Sequence, residues 1–93
     1  MEEYQDLIYK TDTSLVEVEP KDGTAYTLDE LQGIVGGEIE IIAGDESAMV
    51  VCKDAAESEP NYLATIWVRG NSTYKGFIYG NAIVCGKSKL AKV

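Results

Sequence analysis

Histidine is absent from the 93-residue chain, and proline and cysteine occur only twice each. Without an imidazole, neither Cys52, Cys85, Ser72, Thr73 nor Ser88 has the usual base that would activate it as a nucleophile. Two thiols also fall short of the four nitrogen or sulfur ligands of a structural zinc site. Both cysteines stand alone inside apolar runs with no CxxC spacing, and so read as buried, reduced thiols. No apolar run approaches the about 18 residues that span a bilayer. The N-terminal MEEYQDLIYK lacks the basic stretch, apolar segment and cleavage site of a secretory signal. A cytoplasmic chain without a membrane segment is the expectation.

Acidic residues are missing from the last third altogether. All 16 lie between Glu2 and Glu59, against Lys10, Lys21 and Lys53, so residues 1–60 carry −13. Residues 61–93 hold Arg69, Lys75, Lys87, Lys89 and Lys92 with no acid and carry +5. Tyr62, Trp67, Tyr74, Phe77 and Tyr79 fall in the same basic third. Either the two halves interleave and partly neutralise each other, or the last third forms a basic, aromatic patch for an anion. The net charge of −8 repels a nucleic-acid backbone, so direct nucleic-acid binding is not expected.

What is present begins with TLDELQGIVGGEIEII, Thr27 to Ile42. Thr27 and Glu30 have the spacing of a capping box, and Asp29 adds favourable charge in the first turn. Leu28, Leu31, Ile34 and Val35 then follow at helical offsets and predict a helix of about two turns with one core face. Gly36 and Gly37 come after the last apolar position, where the chain must leave the helix. A phosphate-cradling glycine run precedes its helix, so that free N–H groups face the anion. Here the order is reversed, and the cluster reads as a helix stop.

Elsewhere Leu15 to Glu19 alternates like a strand with one wet face, and Lys21-Asp22-Gly23 is a turn. Glu38 to Ala43 and Ala48 to Lys53 make a hairpin around Gly44 to Ser47. Asp54 to Pro60 is a polar connection. NYLATIWVRG suits either a strand or a short helix capped by Asn61 that buries Leu63, Ile66 and Trp67. Gly76 to Gly86 reads as strand on both sides of a bulge or turn at Gly80-Asn81. The tail KSKLAKV is expected to fray.

The succession LVEVEP, YTLDELQGIVGGEIEII, MVV, an asparagine followed by ATIW, then FIYGNAIVCG resembles a domain-of-unknown-function family common in phages and bacterial mobile elements. The resemblance runs from Leu15 to Gly86. It implies a small cytosolic α+β domain with an accessory role, and it favours a helix over Asn61 to Val68. The segment Met1 to Thr13 and the length of the Asp54 to Pro60 loop depart from the pattern. The expected fold is therefore α+β, a small antiparallel-rich sheet with two short helices on one face, in the order β-α-β-β-α-β. Residues 14–86 form the domain, with an N-terminal extension (1–13) holding a candidate edge strand at Asp6 to Lys10, and a basic tail (87–93).

Catalysis is not expected, since pairs such as Asp45 and Glu46, or Glu57 and Glu59, sit in loops with nothing apolar to separate their pKa values. Asp22, Asp45 and Asp54 lack the spacing of a calcium loop, and no metal or other cofactor is expected. Two functions stay open. One is a non-enzymatic protein that binds a protein partner through its acidic surface. The other is a binder of a nucleotide or similar phosphorylated ligand near residues 67–81. There Arg69 and Lys75 would meet phosphate, Asn71, Ser72 and Thr73 would donate, and Trp67, Tyr74 or Tyr79 would stack a base. The plainer reading of that stretch is a loop flanked by core aromatics. Finally, Ala48 to Cys52 is apolar on both faces, so something covers the face near Val50: the DLIY segment of the same chain or a second copy in a homodimer.

Overall fold

The computed structural model describes residues 5–55 and 57–93. Residues 1–4 of the N-terminal extension and Ala56 of the polar connection lie outside the described residues. In chain order the elements are β1 (Asp6–Tyr9), β2 (Leu15–Val18), α1 (Leu28–Val35), β3 (Ile39–Ala43), β4 (Ser47–Cys52), α2 (Tyr62–Asn71) and β5 (Ala82–Gly86), followed by a 3₁₀ turn at Lys87–Leu90. The strands form one antiparallel sheet in the order β2-β1-β5-β4-β3. From β2 onward this is the expected β-α-β-β-α-β, and the class is α+β. Asp6 to Lys10, expected at an edge, instead supplies an inner strand paired on both sides; β2 and β3 are the edges.

Local chemistry sets α1. The Glu30 N–H donates to Thr27 Oγ1 at 3.2 Å, and the Thr27 N–H donates back to the Glu30 carboxylate at 2.7 Å. At the other end Gly36 takes φ 91°, open to glycine at little cost, and its N–H closes the helix on the Gln32 carbonyl at 2.8 Å. Leu31 and Val35 are buried and Ile34 half-buried, whereas Leu28 stays exposed.

The helices do not share a face. Tyr26, Leu31 and Val35 pack with Val50, Ile83 and Cys85 on one side of the sheet, and Ala64 and Val68 of α2 pack with Ile42, Met49, Val51 and Ala82 on the other. The register explains the split, since Val50 pairs with Ile83 and Met49 with Val84, so alternate residues of β4 serve alternate cores. That is why β4 is apolar on both faces, and the face near Val50 is covered within the chain by α1. The feature that pointed to a second copy is thereby accounted for without one.

Asn61 seats α2. Its fully buried side chain accepts from the Ala64 N–H at 3.0 Å and donates through Nδ2 to the Tyr9 and Gly80 carbonyls, both at 2.8 Å. Its backbone N–H donates to the Ile78 carbonyl at 2.8 Å, and its carbonyl accepts from Thr65 Oγ1 at 2.8 Å. Thr65 Oγ1 in turn accepts from the Ile78 N–H at 2.9 Å. These bonds hold Gly76 to Gly80 as a connection touching the helix, with a single bridge between Pro60 and Tyr79, rather than as the strand expected before Gly80. The helix also runs three residues beyond Val68, and its buried residues are Ala64, Thr65 and Val68 rather than Leu63, Ile66 and Trp67.

The C-terminal tail is anchored, not frayed. The Tyr26 N–H donates to the Lys89 carbonyl at 2.9 Å. Lys89 Nζ and Tyr26 Oη both donate to Oδ2 of Asp6, at 2.9 and 2.8 Å, and Asp6 is only 2% exposed. Lys92 pairs with Asp22. Burial, reinforced by the nearby Asp6 carboxylate, pushes the Cys85 thiol from 9.0 up to about 12. Burial first, then the hydrogen bond to Asp6, likewise raises Tyr26.

Two outcomes follow from this core. Asn61→Ala removes a cap and takes the amide donor from the part-buried Tyr9 and Gly80 carbonyls, so urea unfolding should show a loss of about 2 kcal/mol. Asn61→Asp keeps the cap acceptor but sets a carboxylate against the same carbonyls, and should be the less stable of the two at neutral pH. Cys85 and Tyr26 are neutral in the folded state and ionise more readily when unfolded. Their contribution is therefore full below about pH 9 and falls as pH rises toward the folded values. The urea midpoint should decline steadily above pH 9, less steeply in Cys85→Ala; a flat profile to pH 11 would contradict the assignment.

Candidate functional site

Of three surface clefts that hold residues singled out in the sequence, two lie along α2. The first, of about 420 Å³, opens beside the β3–β4 turn and is lined by Asp45, Glu46, Leu7, Tyr9, Trp67 and Asn71 among others. A second, of about 410 Å³, lies between α2 and the β1–β2 pair and is lined by Tyr9, Leu15, Leu63, Ile66, Trp67, Gly70 and Asn71. Because they share Tyr9, Trp67 and Asn71, these two are parts of one groove along the same flank of α2. The third, of about 200 Å³, holds Glu40, Cys52, Tyr74, Phe77 and Tyr79.

The eight residues singled out near 67–81 are divided between these places. Trp67 and Asn71 line the groove, Tyr74 and Tyr79 line the third cleft, and Arg69, Thr73 and Lys75 are exposed and line none of the three. Several of their polar groups serve the end of the helix. Asn71 Nδ2 donates to the Trp67 carbonyl at 2.9 Å, and the half-buried Ser72 donates its N–H and Oγ–H to the Val68 carbonyl at 2.9 and 2.7 Å. The Tyr74 N–H donates to Ser72 Oγ at 3.1 Å. Arg69 donates to the Lys75 carbonyl at 3.1 Å and lies 5.3 Å from the centre of the Phe77 ring, within range of a cation–π contact. These donors tie the 71–77 segment to itself and to α2.

Trp67 is placed by close packing. A Cβ on Gly44 would come within 3.1 Å of both the Trp67 ring and the Asn71 carbonyl oxygen, so a side chain there would crowd the approach of the turn to the end of α2. The last carbonyls of α2 therefore stand next to Asp45 and Glu46, at the negative pole of the helix.

The carboxylates with shifted acidity are all lowered. The Lys92 ammonium and the Ala25 and Thr24 N–H groups hold Asp22 well below the usual range. The Thr27 and Lys21 N–H groups hold Glu30 down, and the Ser14 hydroxyl and N–H hold Asp12. Each is fixed as an anion by its own turn or cap, the opposite of the raised pKa that a general acid needs. Among the described residues no group of three or more His, Cys, Asp or Glu side chains is placed to hold a metal ion, and no helix is long and apolar enough to cross a membrane.

The sequence reading passed over Tyr9, Leu15, Leu63 and Ile66 as a surface. A signal for it existed: Leu63, Ile66, Trp67 and Gly70 fall at i, i+3, i+4 and i+7. The core place expected for Leu63, Ile66 and Trp67 is filled by Ala64 and Val68 instead.

No curated protein and no solved structure matches the chain. A family model described as a domain of unknown function, DUF3846, matches residues 7–91, from within β1 through the 3₁₀ turn after β5. The chain belongs to the DUF3846 family.

Proposed function

We propose that this is a non-enzymatic accessory protein of phage or mobile-element type that binds a protein partner through its acidic surface. The phage association rests on the sequence resemblance described above. The observation that supports the binding mode is the charge left over after folding. Of the five bases in the last third, Lys89 and Lys92 are taken up by Asp6 and Asp22. Glu38 just before β3, Glu40 on β3, and Asp45 and Glu46 in the adjoining turn are exposed, with no ion pair among the described residues. Glu17 and Glu19 lie at the opposite edge of the sheet, so the acids form two groups rather than one continuous face.

The β3 hairpin is the denser group and the better candidate for meeting a basic protein surface. Such contacts act mainly on encounter rate and partner choice, and salt weakens them as the screening length falls from about 10 Å at 0.1 M to about 3 Å at 1 M.

Immobilised full chain should retain a bacterial protein at about 50 mM salt and release it at about 1 M. The double variant Glu38→Lys/Glu40→Lys should capture at least tenfold less while unfolding within about 0.5 kcal/mol of the parent. A partner held equally at both salt concentrations, or captured undiminished by the double variant, would count against this reading.

A further inference from the structure

Helix α2 carries more apolar surface than its seat on the sheet uses. Ala64 and Val68 face the sheet. Leu63, Ile66, Trp67 and Gly70 make a second stripe, turned toward β1 and β2, where Ile66 is 68% and Leu15 51% exposed. An apolar stripe at i, i+3, i+4 and i+7 is the pattern by which one helix packs on another, and Gly70 leaves room for close approach.

The floor beside the stripe is the outer β1–β2 pair of the sheet. Tyr9 and Leu15 are paired across β1 and β2 and rise into this space.

The charges choose the occupant. Among the described residues no lysine or arginine lines either part of the groove. Asp45 and Glu46 stand at one end, beside the carbonyl end of α2, and Glu17, paired with Leu7, lies on the same face of the sheet. A second copy would bring its own net charge of −8 to this acidic rim. Resting on the reading that the chain binds a protein through acidic surface, we infer that the α2/β1–β2 groove is the seat of a basic amphipathic helix of that partner. Its apolar face lies on Leu15, Leu63, Ile66 and Trp67, and its cations lie toward Asp45 and Glu46.

The test titrates the full chain with a leucine–lysine peptide of about 18 residues, long enough to be helical, with leucines at i, i+3, i+4 and i+7. The change in emission of Trp67, the sole tryptophan, reports binding. Binding should weaken at least tenfold for a peptide of the same composition in scrambled order, and for Ile66→Asp or Leu15→Asp. Both substitutions are at exposed positions, and each variant's far-UV circular dichroism should match the parent. Equal binding of the scrambled peptide, or undiminished binding by either folded variant, overturns the groove as the seat; if that binding still falls with salt, the acidic-surface reading survives. Equal binding of a peptide with every lysine replaced by glutamate overturns both. A mass near 20 kDa by light scattering that drops to 10.1 kDa in Ile66→Asp overturns the inference in favour of a second copy.

Discussion

A single buried amide holds this structure in register. Asn61 is fully enclosed, and all three of its side-chain hydrogen bonds go to backbone groups of different segments: the first turn of α2, the end of β1 and the Gly80 turn. Each bond is worth only about 1 kcal/mol net, but an unmade one at a buried carbonyl costs 1–3 kcal/mol. The amide therefore acts less as glue than as a selector, because any other docking of α2 would strand these groups. Position and tilt of α2 follow from it, and so does the flank that α2 leaves uncovered.

The opposite face is closed by different means. There α1 is short, and the space beyond it is filled by Tyr26, Ile8, Val18 and Leu90. Asp6 on β1 would be an unpaired buried charge without Lys89 and Tyr26, a situation that costs about 3–5 kcal/mol when one partner is lost. The pair joins the first described strand to the last turn of the chain. A tail that looks solvent-like in composition is thus obliged to dock, and the two ends of the chain become one structural unit.

How legible this was depends on how local each feature is. The capping box at Thr27 and Glu30, the stop at Gly36 and the β3–β4 hairpin depend on residues within a few positions of one another, and all were readable. The helix over residues 62–71 was not decided by its own periodicity, because Thr65, Ile66 and Val68 suit a strand equally well; the resemblance favoured it and the Asn61 cap anchors it. The features that were misread are non-local. Which sheet face each helix covers, the inner place of β1 and the docking of Lys89 all depend on contacts between residues far apart in sequence, such as Asp6 with Lys89. The residues near 67–81 are divided between separate places for a related reason. A helix end has orphan carbonyls to satisfy, and Asn71 and Ser72 satisfy them.

The same logic sorts the surface. Open sheet edges invite pairing with other chains, and charge along the edge discourages it. Both edges here are acidic, β3 through Glu40 with Glu38 just before it and β2 through Glu17 with Glu19 just after it, and this protective role needs no partner. It cannot account for the groove, which lies on a sheet face rather than along an edge. Exposed apolar residues scattered singly would need no explanation either. Leu15 and Ile66 are not scattered: with the half-buried Leu63 and Trp67 they line one cleft, at helical spacing on one side and in strand pairing with Tyr9 on the other. An apolar groove that the described residues leave uncovered, on a sheet whose opposite face is closed by α1 and the tail, is the feature that edge protection and core packing leave unexplained.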